Sequence, residues 1–229
     1  MIHLRQVKKF HQRSLTPHAP MVAFRLDELD IDAGEAVALL GPNGSGKSTL
    51  LHLIAGMLRP EEGDVSVNGV RLDQTPSDRV DRLRGQTIGI IYPDRNLIPA
   101  LTTLQNIRLG LRLGRGLPRI QRRIRAKEML DRVSLAHRGK SYPSELTLIE
   151  RQRVSLARAF AHDPLIILAD EPTRYLEPAS SRQLVHLLLA LKEEFGATLL
   201  LATDDAELAA LLPRRVDCAH LIQESDSPQ

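Results

Sequence analysis

The chain has one cysteine in 229 residues, Cys218, no tryptophan, and only four phenylalanines and three tyrosines. A single thiol excludes an internal disulfide and fits a reducing compartment. No apolar run approaches the roughly 18 residues that cross a bilayer, since the longest, around 184–191, is interrupted by His186. Residues 1–10 lack the apolar centre of a secretory leader. Eight histidines are scattered without metal-ligand spacing. What is present is a globular composition, 42% hydrophobic, enough to bury a core.

The net charge of +3 hides an asymmetry. Residues 108–140 hold eleven Lys/Arg against Glu128 and Asp131, a local +9, and the rest of the chain holds 20 basic and 26 acidic residues. Such a block is a solvated helical face, or a surface facing anionic lipid or an acidic partner. Nucleic acid is not expected, because no aromatic lies in the block to stack on a base.

The segment Gly41-Pro42-Asn43-Gly44-Ser45-Gly46-Lys47-Ser48-Thr49 lies between an apolar run at 36–40 and an apolar-periodic stretch at 50–58. It has the pattern of a phosphate-binding loop. Gly41, Gly44 and Gly46 let the backbone bend and aim successive N–H groups at phosphate oxygens. A helix starting near Gly46 adds its positive end, Lys47 reaches the β- and γ-phosphates, and Ser48 is placed to ligate Mg²⁺. The expected ligand is a nucleoside triphosphate.

Residues 1–40 read as β-rich, with strands at 2–7, 22–31 and 36–40 and a proline-bearing loop at 11–20. A helix at 47–58 ends at Arg59-Pro60. Residues 64–72 form a hairpin around Asn68-Gly69, and 87–92 is another strand. From 101 to 142 the spacing turns helical and arginine-rich, broken at 114–118. Alternation then resumes: helix 150–161, strand 165–169, helix 179–195, strand 198–202, a short helix after Asp205 and a last strand near 218–222. The expected fold is α/β, with a mostly parallel core sheet, an antiparallel β subdomain and an inserted helical subdomain. The strand at 165–169 ends in Asp170-Glu171, where Asp170 can hold Mg²⁺ and Glu171 can orient or deprotonate an attacking water.

With these motifs the chain resembles the nucleotide-binding subunit of an ABC transporter along essentially its whole length. The stretches 96–107, 142–146 and 151–159 are similar to the branch that powers lipoprotein release and macrolide efflux. The resemblance implies one P-loop NTPase domain, with a RecA-like core and β subdomain at 1–92 and 143–229 and a helical subdomain at 93–142. It implies ATP and Mg²⁺ as ligands, and Phe10 as an aromatic platform for adenine, a position that a core phenylalanine would also fit. Its partners would be a membrane permease and a second ABC subunit, the same or different, sandwiching two ATP molecules. Its place would be cytoplasmic, peripheral on the inner face of the membrane.

Four departures fall on motifs that touch the γ-phosphate. Where the family carries Leu-Ser-Gly-Gly-Gln, this chain has Leu146, then Thr147, Leu148, Ile149 and Glu150, an acid facing an anion. The glutamine expected after the 88–92 strand is Pro93, the switch histidine is Asp204, and the aspartate of the loop after the second motif is Glu177. Such a site should bind ATP better than it hydrolyses it. Two readings stay open: a working ATPase with slowed turnover, which retention of Glu171 favours, and a pseudo-ATPase beside an intact partner, which the clustered changes favour.

Overall fold

The computed structural model describes residues 1–12, 21–93, 97–113 and 116–224. The loop expected beyond Gln12, Asn96 and part of the 114–118 break lie outside them.

Two five-stranded sheets form the framework. β1 (Ile2–Gln12), β2 (Met21–Ile31), β4 (Glu62–Val67), β5 (Val70–Arg71) and β10 (Ile222–Glu224) make the first, in the order β10-β2-β1-β4-β5, with antiparallel pairing throughout. The second runs β6-β7-β8-β3-β9 and is parallel. Its members are β3 (Ala36–Leu40), β6 (Ile88–Ile91), β7 (Ile166–Asp170), β8 (Thr198–Thr203) and β9 (Arg214–Asp217).

Both faces of the parallel sheet are buried, which is why its strands read as unbroken apolar runs. Alternate side chains divide between two cores. Val37, Leu39, Ile166, Leu168, Leu200 and Ala202 join α1 (Lys47–Ile54) and the antiparallel sheet. Ala36, Ala38, Ile167, Ala169, Leu199 and Leu201 face the other way, onto α5 (Leu148–Phe160) and α6 (Pro178–Phe195). That second core continues into α3 (Thr103–Leu113) and α4 (Arg119–Arg132) through Ile107, Leu111, Ala126 and Met129. No helix among the described residues is long and apolar enough to cross a membrane.

Four expectations need correction. β1 runs on to Gln12, so His11 belongs to a strand rather than a loop. α1 stops at Ile54 because Gly56, at φ +65°, takes the left-handed turn that ends helices, four residues before Pro60. α2 (Ser77–Thr87) has no counterpart among the expected elements: it buries only Val80, too little apolar surface to give a helical period. Residues 218–221 are not a strand. β9 ends at Asp217, whose carboxylate accepts from the Ala219 N–H at 2.8 Å and turns the chain toward β10 in the other sheet.

Candidate functional site

The parallel strands all point the same way, so their carboxyl ends collect the candidate residues at one edge of the sheet. β3 delivers the glycine loop, β6 delivers Pro93, β7 delivers Asp170 and Glu171, and β8 delivers Asp204.

The loop is fixed locally. The Gly41 N–H donates to Thr203 O at 3.3 Å and the Ser45 N–H to Pro42 O at 3.2 Å, while Pro42, Asn43 and Gly44 stay exposed. Gly46 caps α1 at φ +99°, where a Cβ would lie 2.9 Å from Phe24 Cδ2. Only glycine meets both conditions. α1 then opens on Lys47, with Ser48 exposed and Thr49 half-buried in its first turn. Ser45 is 5% exposed, and its hydroxyl has no hydrogen-bond partner among the described residues.

Lys47, 5% exposed, donates from Nζ to Gly41 O at 2.6 Å and Pro42 O at 3.0 Å, and stands 3.1 Å from Glu171 Oε1. The ammonium thus bridges the loop carbonyls and the Glu171 carboxylate. Burial pushes the Glu171 carboxyl above the ordinary range; Lys47 opposes this, and Asp204 and Asp170 add to it. Glu171 also sits at φ +43°, a left-handed conformation unusual for a glutamate. Strain of this kind persists where surrounding structure holds a side chain in place, here by the Glu171 N–H bonded to Ala202 O at 3.0 Å. Asp170 is 8% exposed and its Oδ1 has no hydrogen-bond donor among the described residues. A buried carboxylate oxygen without a donor, on the edge that also carries the glycine loop and its serines, is the kind of oxygen ligand a hard cation such as Mg²⁺ takes.

The departures have definite surroundings. Asp204 is exposed and accepts from Asn43 Nδ2 at 3.4 Å, which ties the switch position to the glycine loop. Pro93 is half-buried, and its carbonyl accepts from Gln152 Nε2 of α5, a donor also 3.4 Å from Tyr92 O. Thr147 caps α5. Its N–H and hydroxyl donate to Glu150 Oε2 at 2.9 and 3.0 Å, and the Glu150 N–H returns to Thr147 Oγ1 at 3.4 Å. Arg138 Nε holds Glu150 Oε1 at 3.1 Å. These donors, the Thr147 backbone first, keep the Glu150 carboxyl below its ordinary range. The acid is therefore turned back on its own helix, and Leu148 stands 45% exposed beside half-buried Ile149. Glu177 is exposed at the start of α6 and makes no side-chain cap, with Pro178 in the first turn. Phe10 is half-buried on β1 opposite Ala23, with its N–H on Glu61 Oε2 at 3.1 Å, and so is not a core residue.

Sequence reasoning missed three of these partners. Arg138 and Gln152 lie within stretches that carry only periodicity or family likeness, and Asn43 is expected to bind ATP as part of the glycine loop, with nothing local to pair it with Asp204. Their signals are long-range contacts that no local pattern carries.

A parallel sheet with a glycine loop between β3 and α1, a buried lysine at the end of that loop and paired carboxylates two strands away define a P-loop nucleotide-binding cassette. The ABC transporter family profile matches residues 25–174. The chain belongs to that family and is its ATP-binding domain. It is 41% identical over 202 residues to the lipoprotein-releasing system ATP-binding protein LolD of Hydrogenovibrio crunogenus, covering 87% of each chain. It is 42% identical over 189 residues to the uncharacterized ABC transporter ATP-binding protein Rv0986 of Mycobacterium tuberculosis, covering 82% of this chain and 75% of that one. Among solved structures it is similar to the ATP-binding cassette MJ0796 in a dimeric post-hydrolysis state bound to ADP and Pi. That match has a TM-score of 0.85 and 32% identity, and it covers 98% of both chains. The likeness to the lipoprotein-release branch thus has a counterpart in a relative.

Proposed function

We propose that this chain binds ATP at the 41–49 loop and hydrolyses it slowly, with Glu171 as the residue that acts on water, to drive a membrane permease against which it sits on the cytoplasmic face. The observation that carries this reading is the buried cluster of Lys47, Asp170 and Glu171 at the carboxyl edge of the sheet. Lys47 is positioned to transfer its charge from Glu171 to the β- and γ-phosphates, and the loop N–H groups and Ser45 to cradle their oxygens. Ser48 and Asp170 would hold Mg²⁺, which supplies neutralisation of phosphate charge. Glu171, with a raised affinity for protons, is suited to take one from an attacking water near neutral pH. Phe10, half-exposed, is available to adenine.

The transition-state contacts are the weak part of this site. Pro93 offers no side-chain donor, Asp204 puts a carboxylate near Glu171, and the α5 N-terminus is already capped by Glu150. This last arrangement specifically favours a second reading, in which the chain pairs with an intact ABC subunit whose own signature completes this chain's ATP site, while this chain's signature supports the partner's site poorly. Binding of a fluorescent ATP analogue to the purified chain tests the shared part. Lys47→Ala should lose binding, and Asp170→Asn should lose its Mg²⁺ enhancement. Full affinity in Lys47→Ala would refute the site.

A further inference from the structure

The basic helical block contains a surface that ATP chemistry does not use. Of its cations, Arg125 is paired with Asp163 and Glu128, Arg132 with Glu194, and Arg138 with Glu150. Arg119, Arg122, Arg123, Lys127 and Lys140 make no ion pair among the described residues. α4 buries Ala126, Met129 and Leu130 and turns the opposite face to solvent. On that outer face stand Ile120, 75% exposed, and Ile124, 53% exposed. Spacings of three and four place Ile120 and Ile124 beside Arg123 and Lys127 along the same side of the helix. Arg123 and Lys127 in turn border a pocket of about 480 Å³, lined also by Lys140, His137, Leu104 and Leu130. One acid, Asp131, also lines it, so the pocket keeps a positive balance.

Two isoleucines held in water beside unpaired cations and a cationic pocket match a bilayer surface: apolar side chains enter the acyl boundary while Lys and Arg meet anionic headgroups. We propose that the outer face of α4, with the Arg123–Lys127–Lys140 pocket, is a contact site for anionic phospholipid, the pocket taking a headgroup phosphate and Ile120 and Ile124 the interface. Ile120, Arg123, Ile124 and Lys127 are exposed on α4 and lie outside the ATP site, so this contact is separate from the catalytic reading and can fail without it.

The test is sedimentation of the full chain with vesicles of phosphatidylcholine mixed with phosphatidylglycerol, against vesicles of phosphatidylcholine alone. The chain should bind the mixed vesicles, release them as salt is raised, and ignore the neutral ones. Arg123→Glu with Lys127→Glu should weaken binding by at least about tenfold, and Ile120→Ser with Ile124→Ser by a comparable factor. ATP-analogue affinity should stay unchanged in both, showing that they fold. Arg79→Glu with Arg82→Glu, the same charge change on exposed positions of α2, should have a much smaller effect. An equal loss from the α2 pair would mean net charge alone and overturn the site, as would binding indifferent to the isoleucines. Vesicles ignored, with the α4 charge reversal instead releasing the chain from its permease, would make the face a protein contact and also overturn the proposal.

Discussion

Replacing Glu150 by Gln should destabilise the protein measurably, and in a pH-dependent way. The carboxylate accepts from Thr147 N and Oγ1 and from Arg138 Nε, at 2.9, 3.0 and 3.1 Å. Glutamine can keep one acceptor oxygen on the cap, so what is lost is chiefly charge. An acid in the first helical turn contributes about 0.3–1 kcal/mol. The Arg138 pair, with side chains 37% and 16% exposed, is screened and adds about 0.2–1 kcal/mol. A total near 1 kcal/mol corresponds to a Tm lower by about 2–4 °C for a chain of this size. The folded carboxyl lies below its ordinary value of 4.5, so its stabilisation is complete above that value and disappears as pH falls through the folded one. Thermal unfolding of the two proteins at neutral and strongly acid pH measures this. Equal Tm at neutral pH, or a deficit that persists unchanged in acid, would refute the claim that Glu150 is committed to its own helix.

Gly46→Ala should cost about 3 kcal/mol, or roughly 6–12 °C in Tm, because the new Cβ meets both φ +99° and Phe24. Gly44→Ala, at φ +83° with no neighbour within 4 Å, should cost only about 1 kcal/mol in the same melt; similar costs for the two would contradict the packing argument. Asp204→His should raise phosphate release by about tenfold, since it removes a carboxylate that is tied to the glycine loop and would repel the phosphate charge there; unchanged turnover would show that Asp204 is not what limits it. Glu171→Gln should raise Tm at neutral pH, because a carboxyl with a raised folded pKa disfavours folding once ionised. That gain should vanish below the ordinary carboxylate range; a lower Tm at neutral pH would reverse the sign assigned here.

The parallel sheet was legible because both its faces are buried and its strands are unbroken apolar runs, and the glycine loop because backbone geometry restricts its residues. The elements missed carry weak or misleading periods. α2 buries one valine fully, and β9 is an edge strand whose Arg214 is occupied with Glu35 and Asp30 O. The family resemblance also implies that Glu150 faces an anion, whereas its partner Arg138 lies twelve residues away, beyond the reach of a motif. The carboxylate pair at the end of β7 was readable as a position in sequence. Its closeness to Lys47, 3.1 Å across the strand ends, followed only once the order β7-β8-β3 was known.

The measurement that tests the central claim most directly is phosphate release from saturating ATP and Mg²⁺ by the wild-type chain and by Glu171→Gln, each in complex with its permease. The account predicts slow release from the wild type, and release abolished in Glu171→Gln with ATP-analogue affinity retained. Turnover that survives Glu171→Gln would contradict it and place the chemistry on a partner subunit.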